Sequence, residues 1–258
     1  MKFYFSSTLM WEATSREIVE MAKANGYEGV ELWAQQVESC ALDMNEWIQA
    51  CQATNIKTII HAKSWDLNYA SVNEGIRKAS IKEIKTSIDL ARKVGSNVVT
   101  LHPPRCSLFV DKETKRRARQ NLVEIVDYAG LQDVHVSVEL MEKIPKEFVT
   151  TPEEMADFIR DVKDSVSLTL DLAHCQSTEE FMAYRNKLSP ISKFHITNKI
   201  GKKLHTPISE PGDLDIVQVL HQLKHDDVPV VVEGFAIGRN FERVRKETKF
   251  LKEWEKEQ

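Results

Sequence analysis

Six short apolar runs each end on a residue able to bind a metal ion. Thr58-Ile-Ile-His61 and Val98-Val-Thr-Leu-His102 end in histidine, Val136-Ser-Val-Glu139 and Val230-Val-Val-Glu233 in glutamate. Ser167-Leu-Thr-Leu-Asp171 ends in aspartate, and Lys193-Phe-His195 in histidine again. Taken singly, such a residue is more often a hydrogen-bonded structural group or a cap for the next helix. Six at equivalent points would bury many polar groups with no shared purpose, which is costly. A common divalent ion offsets that cost for all of them. Imidazole and carboxylate without thiolate suit Mn, Zn, Fe, Co or Mg. The cysteines (Cys40, Cys51, Cys106 and Cys175) include no Cys-x-x-Cys pair, so thiolate zinc sites and redox dithiols have no local support.

These residues need a scaffold that brings strand ends together. Eight β-rich runs recur along the chain: Lys2–Ser6, Gly29–Trp33, Lys57–His61, Asn97–His102, Val134–Glu139, Ser167–Asp171, Lys193–Ile196 and Val228–Glu233. A continuous apolar run such as Val228-Pro-Val-Val-Val232 is hidden on both faces, as in a parallel sheet covered by helices. Helical patterns fill the intervals. Thr14-Ser-Arg-Glu17, Thr151-Pro-Glu-Glu154 and Ser177-Thr-Glu-Glu180 fit capping boxes, with Pro152 at a first helical position. Ile76, Ile81, Ile84, Ile88, Ala91 and Val94 form an apolar stripe closed by Gly95, and Gly26 caps the first helix in the same way. A last helix over 240–254 alternates charges around one apolar edge and reads as a solvated outer helix.

Eight strand-and-helix units without a Pro/Gly/Ser-rich linker predict one α/β domain over 1–258, a single-domain (β/α)8 TIM barrel rather than a doubly wound sheet. In such a barrel the C-terminal strand ends share one face, where active sites lie. The formal charge of −4 gives no global attraction to nucleic acid or anionic membrane. Its one notable basic cluster, Lys112-Glu-Thr-Lys-Arg-Arg-Ala-Arg119, falls on a helix, and no nucleic-acid partner is expected. No run approaches the length of a membrane span, and the hydroxyl-broken start Met1–Met10 reads as a buried strand rather than a secretion leader. The expectation is a cytoplasmic protein with reduced thiols, no membrane partner, and self-association left open.

The order His61, His102, Glu139, Asp171-Leu-Ala-His174, His195, Pro207-Ile-Ser-Glu-Pro-Gly-Asp-Leu-Asp215 and Glu233 resembles the xylose isomerase-like TIM barrel superfamily. That superfamily holds sugar and sugar-phosphate isomerases and epimerases, dehydratases of cyclic hydroxy-ketones (inosose or dehydroshikimate type), and endonuclease IV. The resemblance implies one divalent metal ion, Mn or Zn in preference to Co, Fe or Mg, on Glu139, Asp171, His195 and Glu233. It also implies that Glu139 and Glu233 flank the reacting carbons as catalytic groups. His174 matches a substrate-contacting histidine, and His61, His102 and His205 match histidines that help hold a zinc cluster in endonuclease IV. Lys203 stands where that cluster's aspartate would be, and Glu142 and Lys202 stand near a glutamate and an arginine of the ketose 3-epimerases. The expected substrate-binding set is His61, His102, His174, Lys202, His205, Trp33 and Trp65. Its expected partner is a small polyhydroxylated carbonyl compound, isomerised through an enediolate. The alternatives are dehydration of a cyclic hydroxy-ketone and phosphodiester hydrolysis.

Overall fold

A computed structural model describes residues 1–257. The predicted strands are all present: β1 (Lys2–Ser6), β2 (Gly29–Trp33), β3 (Lys57–His61), β4 (Val98–Leu101), β5 (His135–Leu140), β6 (Val166–Asp171), β7 (Ile191–Ile196) and, after two short strands described below, β10 (Pro229–Val232). They close into a parallel barrel in the order β1-β10-β7-β6-β5-β4-β3-β2. Helices α1 (Ser15–Asn25), α2 (Ala34–Ser39), α3 (Met44–Thr54), α4 (Glu74–Val94), α5 (Lys112–Leu131), α6 (Pro152–Ile159), α7 (Thr178–Lys187), α8 (Ile216–Leu223) and α9 (Glu242–Lys256) connect or follow the strands.

Local chemistry sets the helix ends. Thr14 and Thr151 form reciprocal capping boxes with Glu17 and Glu154, and Gly26 and Gly95 take left-handed C-cap conformations. Ser177 forms only half of its expected box, because Glu180 Oε2 accepts from Gln176 N instead. In α4, Ile81, Ile84, Ile88 and Ala91 are buried, whereas Ile76 in the first turn is exposed. The stripe reaches the barrel only after that turn.

Period-two alternation divides the strand residues between two cores. Outward residues pack under the helices in the large cluster that includes Val30, Leu32, Ile60, Val99, Val136, Leu168, Phe194 and Val230. Inside the barrel, Tyr4, Ile59 and Val231 make a small apolar plug with Val98 against it. One step up each strand, the interior turns polar. Ser137, Thr169 and Lys193 are buried there, as are Glu31 and Thr100. A further step brings His61, Glu139, Asp171 and His195 to the C-terminal mouth. Aligned pairs such as Asp171 with His195 and Trp33 with His61 set them side by side.

One element departs from expectation. The segment 198–206, to which the sequence pattern assigns no strand, forms an antiparallel hairpin of β8 (Asn198–Ile200) and β9 (Lys203–Thr206). Gly201 supplies the left-handed turn residue (φ +57°) that so tight a reversal needs. No helix among the described residues is long and apolar enough to cross a membrane.

Candidate metal centre

Four residues from four strand ends converge at the barrel mouth. One ligand atom each from Glu139, Asp171, His195 and Glu233 lies within 4.8 Å of the others, and all four residues are buried. His195 Nδ1 stands 3.2 Å from Glu233 Oε2 and 3.6 Å from Glu139 Oε1. Asp171 Oδ1 accepts the Ala173 N–H at 2.6 Å, which leaves Oδ2 for the shared space. Asp171 Oδ2, Glu233 Oε2, His195 Nδ1 and both Glu139 oxygens are buried without a hydrogen-bond partner.

Those orphaned atoms test whether the residues fit an ion. Unpaired polar atoms are expensive in a dry interior, and three carboxylates cannot all ionise side by side without a compensating cation. Their surroundings pull them in opposite directions. Burial, joined by the charges of Glu233 and Glu139, pushes Asp171 well above the usual carboxylate range against the pull of His174. For Glu139 burial acts in the same sense, but His195 and His102 outweigh it and hold the carboxyl well below its ordinary range. Glu233 is held down likewise, by His195 and His205. A divalent ion resolves this crowding with the oxygen and nitrogen donors it prefers. The residues fit the implied group.

Two further groups adjoin the first. His61, His102 and Glu139 place donors within 4.8 Å of one another, as do Asp171, His174 and His205. His61 Nδ1 donates to the Ala62 carbonyl at 2.8 Å, so Nε2 is bare where it faces His102 Nε2 at 3.1 Å. His174 Nδ1 likewise donates to the Leu140 carbonyl at 2.8 Å, turning Nε2 toward Glu142 (3.5 Å) and Asp171 (3.7 Å). Burial opposes charge on His174, yet Asp171, Glu139 and Glu142 raise its pKa to about 9. The backbone of His205 is left-handed (φ +53°), and burial lowers its pKa despite Glu233 nearby.

A cavity of about 300 Å³ opens over these groups. Glu139, Glu233, His102, His174, His205, Trp33 and Trp65 all line it. His61 lies just behind, fully buried and stacked on Trp33 with ring centroids 3.8 Å apart. Trp65 and Phe235 are 45% and 43% exposed, so the aromatic wall runs from the donors out to solvent. Lys202 does not join this set: it sits exposed at the hairpin turn, away from the cavity lining. Lys203 is exposed as well, so its charge faces solvent.

Two features of the site are not resolved by sequence alone. Glu31, in the middle of β2, lies with Oε2 2.8 Å from His195 Nε2. Arg243, expected to be one charge of a solvated helix, donates to the carbonyls of His205 (2.7 Å) and Phe235 (3.1 Å). Its neighbour Glu247 is fully buried and accepts the Ser209 N–H at 3.0 Å. The charges of this helix face therefore tie down the loops that carry the donors. Around the basic cluster, Arg116 pairs with Glu113, and Arg119 with Asp157 and Asp161.

Known proteins share this architecture. An uncharacterised protein of Methanocaldococcus jannaschii is 26% identical over 209 residues, covering 77% of this chain and 70% of its own. The solved structure of a D-tagatose 3-epimerase-like protein superposes with a TM-score of 0.83 at 24% identity, covering 99% of this chain and 97% of the other. Endonuclease IV from Thermus thermophilus superposes with a TM-score of 0.79 at 15% identity over the whole of both chains. At these identities the structural matches establish the fold, and the reaction is a separate question. The family model for the xylose isomerase-like TIM barrel matches residues 19–254, so the chain belongs to that family.

Proposed function

We propose that the protein is a divalent-metal-dependent isomerase or epimerase of a small polyhydroxylated carbonyl compound. The observation that carries this reading is the placement of Glu139 and Glu233. They reach one cavity from β5 and from the end of β10, with β6 and β7 between them, and each keeps an oxygen without a partner. Glu139, Asp171, His195 and Glu233 would hold one divalent ion. When bound, such an ion polarises a substrate carbonyl and its neighbouring hydroxyl as a Lewis acid.

Each glutamate sits where a bound ion would keep it ionised, as a base requires. One takes the proton from the carbon beside the carbonyl, giving an enediolate. For isomerisation that same carboxyl returns the proton to the adjacent carbon; for epimerisation the other glutamate, reaching the cavity from a different strand, takes a proton from solvent and delivers it to the opposite face. His174, whose Nδ1 proton is engaged by the Leu140 carbonyl, presents Nε2 to a substrate hydroxyl. Trp33 and Trp65 offer ring faces to the apolar side of a sugar. The cations lining the cavity, Lys63 and Arg105, are already paired, Lys63 with Glu38 and Glu83 and Arg105 with Glu147. That favours an uncharged sugar over its phosphate ester.

The test is incubation of Mn2+-loaded protein with a panel of ketohexoses and ketopentoses in deuterated water, followed by NMR. Deuterium beside the carbonyl, absent in Glu139→Gln and Glu233→Gln, is the expected result. Loss of water from the substrate would select a lyase instead. One observation favours a second reading, phosphodiester hydrolysis: the two flanking donor groups offer places for further ions. Incision of DNA at an abasic site, weakening as salt rises, would select that reading.

A further inference from the structure

Beneath the donors lies a buried charged pair that the proposed reaction does not use. Lys193 stands two residues before His195 on β7, on the same inward side, with its side chain essentially without solvent contact. Its Nζ has no hydrogen-bond partner and lies 3.9 Å from Glu31 Oε1. Glu31 is equally buried on β2, and its Oε1 accepts a short hydrogen bond from the Thr100 hydroxyl of β4. Its other oxygen lies 2.8 Å from His195 Nε2, an ion-pair contact off the hydrogen-bond line.

A buried ion pair is a poor way to stabilise a barrel, since apolar residues of similar volume often do as well or better. Here its geometry has another consequence. An imidazole can present either nitrogen, and the acceptor on one side decides which is left bare on the other. A carboxylate at Nε2 keeps the proton there and leaves Nδ1 as a lone-pair donor toward Glu139 and Glu233. That carboxylate must itself stay ionised and aimed in a dry interior. Lys193 Nζ, 3.9 Å from Oε1, supplies the opposite charge, and the Thr100 hydroxyl donates to that same oxygen.

We propose that Glu31, Lys193 and Thr100 form a positioning device for His195. Glu31 fixes the tautomer and ring orientation that offer Nδ1 to an ion, and Lys193 and Thr100 hold Glu31 in place. The proposal rests on the metal reading above. It makes Glu31 and Lys193 positioning residues with no contact to substrate.

The experiment measures Zn2+ affinity by titration calorimetry, and the melting temperature of the ion-free protein, on wild type, Glu31→Gln and the double variant Glu31→Leu/Lys193→Met. The double variant removes both charges together, so no buried charge is left unpaired and the ion-free fold should melt near wild type. Its Zn2+ affinity should nonetheless fall about 10–100-fold, the usual effect of losing the outer partner of a metal-bound histidine. Glu31→Gln, nearly isosteric, should lose about tenfold. Zn2+ affinity within about threefold of wild type in the double variant, or in Glu31→Gln should the double variant fail to fold, would overturn the proposal. A wild-type protein that binds no Zn2+ would overturn the metal reading itself, an outcome no difference among variants can imitate.

Discussion

Removal of the implied ion should be visible as lost stability before any substrate is known. Without an ion, both Glu139 oxygens, Asp171 Oδ2, His195 Nδ1 and Glu233 Oε2 are buried and unpartnered. A bound ion would give each of these atoms a charged partner, the stronger class of bond in a buried site. An ion that binds only the folded state returns stability by mass action, about 2.7 kcal/mol when present at 100 times its dissociation constant. For a chain of this size each kcal/mol moves the melting temperature by about 2–4 °C. Calorimetry should therefore show a rise of about 5–10 °C when chelator-treated protein receives saturating Mn2+ or Zn2+. Replacing Glu233 by glutamine removes one charge of the cluster and should cut that rise to less than half. A melting temperature that stays within about 1 °C under Mn, Zn, Co, Fe and Mg alike would refute the reasoning, because the orphaned donors would then have no ion to hold.

Other consequences are measurable alongside. His102→Ala should lower turnover more than it lowers ion content, since His102 adjoins the four-residue group without belonging to it; elemental analysis beside a rate assay checks this. Tyr4, in the plug of the barrel, has its pKa raised from 10.0 to about 12 by burial and by the charge of Glu28. The unfolded chain then loses its proton first, so stability present below pH 10 should drain away as the pH rises toward 12. Tyr4→Phe should flatten this alkaline limb in denaturant titrations. Gly29→Ala would drive a methyl into the Tyr4 ring and to 2.6 Å from the Lys57 carbonyl, a backbone atom that cannot swing aside. A loss of about 1–3 kcal/mol in chemical denaturation is expected. Ile88→Ala, at a fully buried position of α4, should cost about 2–5 kcal/mol by the same measurement.

Much of the mouth is legible in the sequence because a parallel barrel writes its active face into the strand ends. Apolar runs stop where the strand leaves the core, and the residue at the stop faces its counterparts on neighbouring strands. His61, Glu139, Asp171 and His195 are readable for that reason, although Glu139 lies one residue before the true end of β5 and Glu233 just beyond β10. Reciprocal caps such as Thr14 with Glu17 are readable because both partners lie within one turn. The hairpin is not, since Lys199–His205 carries one glycine and several charges, a composition a loop shares. Arg243 and Glu247 mislead for a related reason. An i,i+4 pair looks the same whether it faces water or, as here, closes over the carbonyls of His205 and Phe235.

Glu31 and Lys193 show how much further the same pattern reaches. In Gly29-Val-Glu-Leu-Trp33 the glutamate shares its face with Trp33, and in Lys193-Phe-His195 the lysine shares its face with a metal-type donor. Two residues is one full period of a strand, so a charged residue two positions before a mouth residue must point into the barrel beneath it. Inside a closed barrel that side chain has no route to water. It must find an opposite charge on another strand at the same level, and Glu31 and Lys193 are each other's. A buried charge at that spacing reports on the donor above it: strand parity puts it inside the barrel, and the structure shows which partner it meets. Strand ends mark the donors; the same parity, taken one layer down, marks the support for His195.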